Sequence, residues 1–316
     1  RVASRGLGDV YKRQLKILFM GTPEFSVPIL KSIHDSKHKV LGVYTQPPKK
    51  KDRGQKIQIS AIHKLSNKLG IPVRHPISFD ENELDHIKKL KADIVIVVAY
   101  GKILPAYLLN IDKTLFINVH ASLLPRWRGA APIQRAIMNM DTETGVSIMK
   151  IVPELDAGPV LMQSKIKINQ SINHKELSDK MSKLGAKLIL DVIKLIEDNK
   201  ADFIEQNELE VTYAKKINKS ESKIDWNENA NKVIAKINAF NPNPGCWFKL
   251  YGTRIKIIKA KEIANKGKPG TILDKKFTIA CSKNAIQIIE LKKEGKQKMT
   301  AEEFLRGNEI KIGLIL

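Results

Sequence analysis

The stretch Ile94-Val95-Ile96-Val97-Val98 decides the fold of this chain. Every residue in it is apolar and β-branched, and polar and apolar positions do not alternate. A strand of that composition is buried on both faces, which is typical of a parallel sheet covered by helices. The stretch therefore predicts a sheet that has helices on both sides.

The segments around this strand alternate between strand-like and helix-like patterns. The other predicted strands are Leu15–Met20, Val40–Thr45, a short one at Val73, and Leu115–His120, and the predicted helices are Ser26–Ser36, Ser60–Leu69 and Glu81–Leu90. This order predicts an α/β domain with a Rossmann-like, mostly parallel sheet. Ligands of such sheets bind outside the carboxyl ends of the strands.

The rest of the chain has a different pattern. A long amphipathic helix is predicted at His174–Glu197, and the polar, charged residues 199–222 are interpreted as a linker. Residues 223–316 combine a short helix with several strand signals, which predicts a smaller OB-like β-barrel domain at the C-terminus. These strand signals are Trp247–Leu250, Thr253–Ala260, Thr271–Leu273, Thr278–Cys281 and Ala285–Leu291. The N-terminal domain is expected at 15–198, and residues 1–14 are interpreted as a tag or a misread start.

The composition excludes several classes of protein. Of the 316 residues, 42% are hydrophobic, which is enough to fill domain cores and excludes a disordered tail protein. The two cysteines, Cys246 and Cys281, are too few for a disulfide framework or a four-cysteine zinc site. The longest apolar run, Ile94–Tyr100, is too short to cross a bilayer. We therefore expect a cytoplasmic protein with no membrane association.

The formal net charge of +22 has two interpretations. An excess of positive charge favours a polyanion such as nucleic acid, because neutralised phosphates release counterions. The alternative is compositional, because a chain rich in Lys, Ile and Asn together becomes basic without any partner. The charge alone leaves both interpretations open.

The end of the predicted strand Leu115–His120 carries the first candidate for chemistry. Asn118 and His120 are two positions apart, so they project to one face while Ile117 and Val119 pack the other way. An amide and an imidazole that share the carboxyl end of a buried strand indicate a site. The alternative is a capping Asn and a core His with an ordinary hydrogen-bond partner.

Two loops add further candidates. Leu123-Leu124-Pro125, in the loop formed by residues 121–132, suits one wall of an apolar ligand slot or, alternatively, ordinary core packing. Asp156 lies in a turn between two strand-like segments and is an ordinary turn residue unless it lies near His120. In that case its carboxylate would favour the imidazolium and fix the ring. The histidines lack metal-ligand spacing, so we predict no metal site.

The chain resembles the folate-dependent formyltransferases in two motifs. They are Asn118-Val119-His120-Ala121-Ser122-Leu123-Leu124-Pro125-Arg126-Trp127-Arg128-Gly129 and Leu155-Asp156-Ala157-Gly158. The start Gly21-Thr22-Pro23-Glu24-Phe25, the segment Thr45-Gln46-Pro47 and the basic C-terminal domain are similar to the branch that acts on methionyl-tRNA. The resemblance covers nearly all of residues 15–316.

This resemblance implies a reaction and a catalytic set. The formyl group of the co-substrate 10-formyltetrahydrofolate would move to the α-amine of methionine on initiator tRNA, for translation initiation. Asn118, His120 and Asp156 would be the catalytic residues. The amide and a protonated imidazole would stabilise the oxyanion, and the carboxylate would help to carry the amine proton away.

The resemblance also implies which residues bind each substrate. The folate site would be lined by Ser122, Leu123, Leu124 and Pro125. The acceptor end of the tRNA would contact a basic loop that contains Lys49, Lys50, Lys51, Arg53 and Lys56, for which a solvated lysine run is the alternative. Residues 223–316 would bind the tRNA backbone without reading bases. Neither a metal nor an obligate protein partner is expected.

Three rival functions remain open. Amino-sugar nucleotide formyltransferases share the catalytic trio and the Leu-Leu-Pro loop, so the fold alone does not exclude them. Hydrolysis of formyltetrahydrofolate would need only water in place of the amine. A non-enzymatic, basic RNA-binding protein would explain the charge but would have no use for the trio.

Overall fold

The computed structural model describes residues 14–51 and 56–316, and only the backbone of Lys50, Lys51 and Lys56. The strands are β1 (Lys16–Gly21), β2 (Lys39–Tyr44), β3 (Lys49–Lys51), β4 (Lys56–Gln58), β5 (Val73–Arg74), β6 (Ile94–Val98), β7 (Leu115–His120), β8 (Arg128–Gly129), β9 (Glu143–Lys150), β10 (Val160–Lys167), β11 (Tyr213–Ala214), β12 (Cys246–Leu250), β13 (Thr253–Ile263), β14 (Thr278–Ala280), β15 (Ala285–Lys293) and β16 (Lys298–Thr300). The helices are α1 (Val27–His34), α2 (Ala61–Leu69), α3 (Glu81–Leu90), α4 (Ala106–Leu109), α5 (Pro132–Met138), α6 (His174–Glu197), α7 (Ala230–Phe240) and α8 (Ala301–Arg306). Short 3₁₀ helices lie at Glu24–Ser26, Glu208–Glu210 and Lys219–Ser222.

A seven-stranded sheet forms the N-terminal part, in the order β10-β9-β7-β6-β1-β2-β5. Strand β6 lies between β1 and β7 and pairs with both in parallel, and every one of its residues is buried. Strands β2 and β5 continue the parallel part, whereas β9 pairs with β7 in the antiparallel sense. The prediction of a Rossmann-like, mostly parallel sheet is confirmed.

The helices of this part begin and end where local signals place them. The Ser60 side chain accepts a hydrogen bond from the backbone N–H of His63 and caps α2, and Asp80 caps α3 through the N–H of Glu83. These side chains satisfy backbone donors that the first helical turn leaves unpaired. Gly70 ends α2 in the left-handed conformation, where a glycine carries no steric penalty.

The C-terminal part contains a five-stranded antiparallel sheet. Its order is β12-β13-β15-β14, and β16 also pairs with β15. The prediction of a smaller, OB-like β-domain at the C-terminus is confirmed, and its sheet is antiparallel, but the prediction of a strand at Thr271–Leu273 is wrong. That segment makes only isolated bridges to Ile315 and Ile279, because it lies between the turn at Gly270 and the Asp274 turn that leads into β14. The fifth strand is β16, which was not predicted.

The contacts divide the chain into two compact units. One contains the described residues up to His120, Val146–Ser164 and Ser182–Gln206, and the other contains Ala121–Gly145, Lys165–Met181 and Asn207–Leu316. The segment 199–222, interpreted as a linker, carries two short 3₁₀ helices and β11. The expected boundaries of 15–198, 199–222 and 223–316 stay predictions. In the described residues, no helix is both long enough and apolar enough to cross a bilayer.

Candidate active site

Strand β7 brings Asn118 and His120 to the carboxyl edge of the parallel part of the sheet. Asn118 pairs with Val97 on one side and with Met149 on the other, and His120 lies opposite Ser147 of β9. The two side chains share a face because they are two residues apart on a strand. His120 is buried, with 6% of its side chain exposed, and Asn118 is half-buried.

Asp156 reaches the same place from the turn between β9 and β10. Its Oδ1 accepts a hydrogen bond from Asn118 Nδ2 at 3.5 Å, and its Oδ2 lies 3.6 Å from His120 Nδ1. The backbone of Asp156 is left-handed, with φ of 51°. The three residues of the predicted trio are thus brought together, and the carboxylate contacts both other members.

Gly158 lets this turn pass close to β9. A Cβ at this position would lie 1.9 Å from the backbone oxygen of Lys150, which no side chain tolerates without a backbone shift. The backbone N–H of Lys150 also donates to Pro159 O at 2.9 Å, so the turn is bonded to the end of β9. The glycine therefore fixes the approach of the turn that carries Asp156.

The arrangement combines three chemical functions at one point. Asn118 has an amide donor, His120 has an imidazole ring with two nitrogens that donate or accept hydrogen bonds, and Asp156 has a carboxylate that accepts them. A donor pair beside a carboxylate suits a reaction in which negative charge develops on an oxygen while a proton leaves a nucleophile. In the described residues, no group of three or more His, Cys, Asp or Glu is placed to hold a metal ion.

Sequence reasoning missed two polar contacts around the trio. The Gln163 amide donates to Ser147 Oγ at 2.8 Å, and Ser147 is the fully buried register partner of His120. The Gln206 amide donates to the backbone oxygens of Asp156 at 2.9 Å and Gly158 at 2.7 Å. A lone glutamine in a polar stretch gives no sequence signal, but Ser147, at a buried position of an apolar strand, gives a weak one.

The predicted folate loop follows β7 directly along the chain and belongs to the second unit. Ser122 Oγ donates to Arg126 O at 2.6 Å, which closes the loop on itself. Ser122 and Leu124 are buried, Leu123 and Pro125 are half-buried, and the Leu124–Pro125 peptide bond is cis.

Asp141 anchors the next part of this loop. Its carboxylate accepts hydrogen bonds from Arg126 Nη2 at 2.6 Å and Nε at 3.1 Å, from Trp127 Nε1 at 2.7 Å and from Asn139 Nδ2 at 2.7 Å. Burial opposes ionisation, but these hydrogen bonds outweigh it and hold the pKa of Asp141 below its usual value. The Arg126 guanidinium also lies 4.7 Å from the centre of the Trp127 ring.

The predicted basic loop contains a β-hairpin. Lys49 pairs with Gln58, Lys50 with Ile57, and Lys51 with Lys56 in the antiparallel ladder of β3 and β4. Lys49 is exposed. Arg53 lies outside the described residues, as do the side chains of Lys50, Lys51 and Lys56, so the structure assigns none of these four side chains a position.

Comparison with known proteins places the chain in a family. Residues 15–193 match the family model described as formyl transferase, and residues 216–309 match the model for its C-terminal domain. The fold, the trio and both models define the chain as a member of the formyltransferase family.

Curated relatives narrow the family. The chain is 47% identical over 299 residues to a methionyl-tRNA formyltransferase of Pelagibacter ubique, a match that covers 93% of this chain and 96% of the relative. It is 43% identical to that of Paramagnetospirillum magneticum over 96% of this chain and 100% of the relative. The chain belongs to the methionyl-tRNA formyltransferases, as the sequence motifs predicted.

Solved structures support the fold. HypX from Aquifex aeolicus in complex with tetrahydrofolic acid matches with a TM-score of 0.66 and 17% identity, over 96% of this chain and 51% of that one. An N-formyltransferase from Helicobacter canadensis, in complex with folinic acid and dTDP-3-aminofucose, matches with a TM-score of 0.66 and 21% identity, over 87% of this chain and 99% of that one.

Proposed function

We propose that the protein transfers the formyl group of 10-formyltetrahydrofolate to the α-amino group of methionyl-tRNA, giving N-formylmethionyl-tRNA for translation initiation in the cytoplasm. The observation that carries the proposal is the convergence of Asn118, His120 and Asp156 at one sheet edge, in a chain that belongs to the methionyl-tRNA formyltransferases.

The reaction begins when the lone pair of the methionyl amine attacks the formyl carbon. The carbonyl electrons move to oxygen, and this oxyanion is stabilised by the Asn118 amide and by the protonated His120 ring. Collapse of the tetrahedral centre breaks the bond to N10 of the folate, which keeps the electron pair and takes up a proton. Asp156 helps to remove the proton that the amine loses, so atoms and charge balance.

The folate is assigned to the loop Ser122–Pro125. This segment follows His120 directly along the chain. The buried Leu124 gives the loop an apolar side, and the contact between Ser122 Oγ and Arg126 O holds its shape. An apolar wall with a few fixed polar groups is typical of a small-molecule site.

The tRNA is assigned to basic surfaces. The hairpin β3–β4 and Arg53, which lies between the two strands in sequence, are proposed to contact the acceptor end. In the second unit, Arg135, Lys215 and Lys216 line a cavity of about 420 Å³ together with Tyr213, Asn218 and Glu221. Arg135 is paired with Glu221 at 2.8 Å, so the two lysines supply the excess positive charge of this cavity.

Contacts with the tRNA backbone predict a strong salt dependence. Because neutralised phosphates release counterions, the KM for charged tRNA should rise steeply between about 50 and about 200 mM salt. The KM for folate, measured in the same series, is the control and should change far less. A KM for charged tRNA that is independent of salt would remove these assignments.

The decisive experiment measures formyl transfer from 10-formyltetrahydrofolate to Met-tRNA. The wild-type protein should form N-formylmethionyl-tRNA, and His120→Ala should lower kcat by about 10²- to 10⁴-fold. His34→Ala, in the last turn of α1, is the matched control and should keep the activity.

Two further reactions separate the rivals. Folate turnover without any acceptor would indicate a hydrolase, and a preference for amino-sugar nucleotides over Met-tRNA would indicate the sugar branch. A wild-type protein that binds RNA but transfers no formyl group would leave only the binding function.

A further inference from the structure

Gln206 binds the backbone of the turn that carries Asp156, although it is not part of that turn. The Gln206 side chain donates two hydrogen bonds to this turn, to Asp156 O at 2.9 Å and to Gly158 O at 2.7 Å. Both contacts are to backbone oxygens, so they restrain the course of the main chain and leave the Asp156 carboxylate to its contacts with Asn118 and His120.

The segment before Gln206 is itself tied to the same region. Ile204 and Val160, the first residue of β10, exchange two backbone hydrogen bonds, with N–O distances of 2.8 and 2.9 Å. Ile204 is 68% exposed, so hydrophobic burial does not explain why this segment stays there. The backbone bridge and the Gln206 amide together hold it beside the turn.

The hydrogen bonds from Gln206 support a turn whose backbone conformation is uncommon. Asp156 has a φ of 51°, a left-handed conformation that L-residues adopt rarely. Contact between Gly158 and Lys150 O already limits movement of the turn toward β9. The two hydrogen bonds from Gln206 restrain movement of the turn away from Gln206. They also satisfy two backbone carbonyl groups that would otherwise bond to water in this half-buried turn.

We infer that Gln206 is a positioning residue for formyl transfer, which acts by fixing the backbone on which the Asp156 carboxylate is placed. This inference rests on the proposed function. It assigns to the segment that ends at Gln206 a direct effect on the rate of the chemical step. Small displacements of a reacting group reduce rates strongly, so a structural contact at this point has a kinetic consequence.

The test replaces Gln206 without changing its size much. Gln206→Met removes both donors, and Gln206→Glu keeps the shape but faces two backbone oxygens with a carboxylate. We expect kcat for formyl transfer to Met-tRNA to fall about 10- to 100-fold in Gln206→Met and at least as far in Gln206→Glu, with the KM values of both substrates within about twofold. Gln14→Met is the matched control, because the exposed Gln14 amide likewise donates to a backbone oxygen, Lys37 O at 2.7 Å, and should be replaceable without loss of kcat.

A double-mutant cycle separates positioning from general support of the fold. If Gln206 acts through Asp156, then Gln206→Met should lower kcat no further in an Asp156→Asn background. Losses that multiply in the double variant would overturn the inference. So would a parallel fall in kcat and rise in both KM values, or an unchanged kcat in Gln206→Met.

The wild-type protein distinguishes this inference from the proposed function. If wild type forms no N-formylmethionyl-tRNA, the proposed function fails and the inference fails with it. If wild type is active and Gln206→Met retains its kcat, only the inference fails.

Discussion

Asp141 and Asp156 are two half-buried carboxylates whose contacts differ in length. The oxygens of Asp141 accept hydrogen bonds of 2.6 to 3.1 Å from Arg126, Trp127 and Asn139. The oxygens of Asp156 lie 3.5 Å from the Asn118 amide and 3.6 Å from the His120 ring. One carboxylate is tightly bonded to its neighbours, and the other is held near two chemically active groups at longer distances.

We propose that this difference separates a carboxylate that stabilises the fold from one that acts in catalysis. Short hydrogen bonds from charged and neutral donors stabilise the folded chain. At Asp141 they bind the carboxylate to the loop that follows β7. Catalytic hydrogen bonds are often long in the absence of substrate and shorten in the reacting complex. We therefore expect substitutions of the two aspartates to affect different measurements.

The largest expected effect is on the rate. Asp156→Asn keeps the shape of the side chain but removes its charge, so kcat for formyl transfer should fall by about 10³-fold. The thermal midpoint should change little, because the contacts that are lost are long. Paired measurements of kcat and Tm check this, and a variant that loses stability while it keeps its rate would reverse the comparison.

The second expected effect is on stability. Asp141→Asn weakens hydrogen bonds to a charged acceptor and should lower the free energy of unfolding at pH 7 by about 1.5–3 kcal/mol, with a much smaller change in kcat than Asp156→Asn. Urea denaturation measures this difference. Asp35→Asn is the control, because Asp35 forms an exposed i,i+4 pair with Lys31 and should cost only about 0.3–0.5 kcal/mol. Equal losses of unfolding free energy in Asp141→Asn and Asp35→Asn would show that Asp141 does not anchor the loop that follows β7.

The smallest expected effect is a pH dependence of the difference in unfolding free energy between wild type and Asp141→Asn. The pKa of Asp141 is lowered in the folded chain, so the unfolded chain takes up a proton first as the pH falls. The stabilisation is therefore complete above the unfolded pKa of about 4 and is lost as the pH falls through the lower, folded value. The difference between wild type and Asp141→Asn should be constant from pH 7 to about 5 and should shrink below about 4. A difference that grows in acid would contradict the sign of the shift.

Local patterns predicted most of the N-terminal sheet. Strand β6 is an unbroken apolar run because both of its faces are buried, and α6 has apolar residues three and four positions apart because one of its faces is buried. The predicted bounds of both elements therefore match the observed ones. The missed elements gave weak local signals. Strand β3 consists of three lysines, β4 has a single apolar residue, and β16 is only three residues long. Helix α8 begins with a capping box of Thr300 and Glu303 that could have been read from the sequence.

The candidate site was predictable only where its members lie in recognisable motifs. The trio was found because two members share a strand face and the third belongs to a motif of the same family. Gln206 and Asp141 were not found, since one acts on backbone oxygens and the other on side chains 14 and 15 residues away. Polar residues of this kind become meaningful only when the fold brings their partners to them.

The pairing of β8 with β11 has a consequence for the order in which the chain is made. Trp127 N donates to Thr212 Oγ1 across 85 residues of sequence, and Arg128 and Gly129 pair with Tyr213 and Ala214 next to it. A ribosome adding about 5–20 residues per second needs roughly 4–17 s to deliver that partner after Trp127 has been synthesised. Until then the nascent chain carries its loop after β7 without the strand that braces it. Complete bracing of that loop is therefore possible only after synthesis has passed Ala214, about two-thirds of the way along the 316 residues.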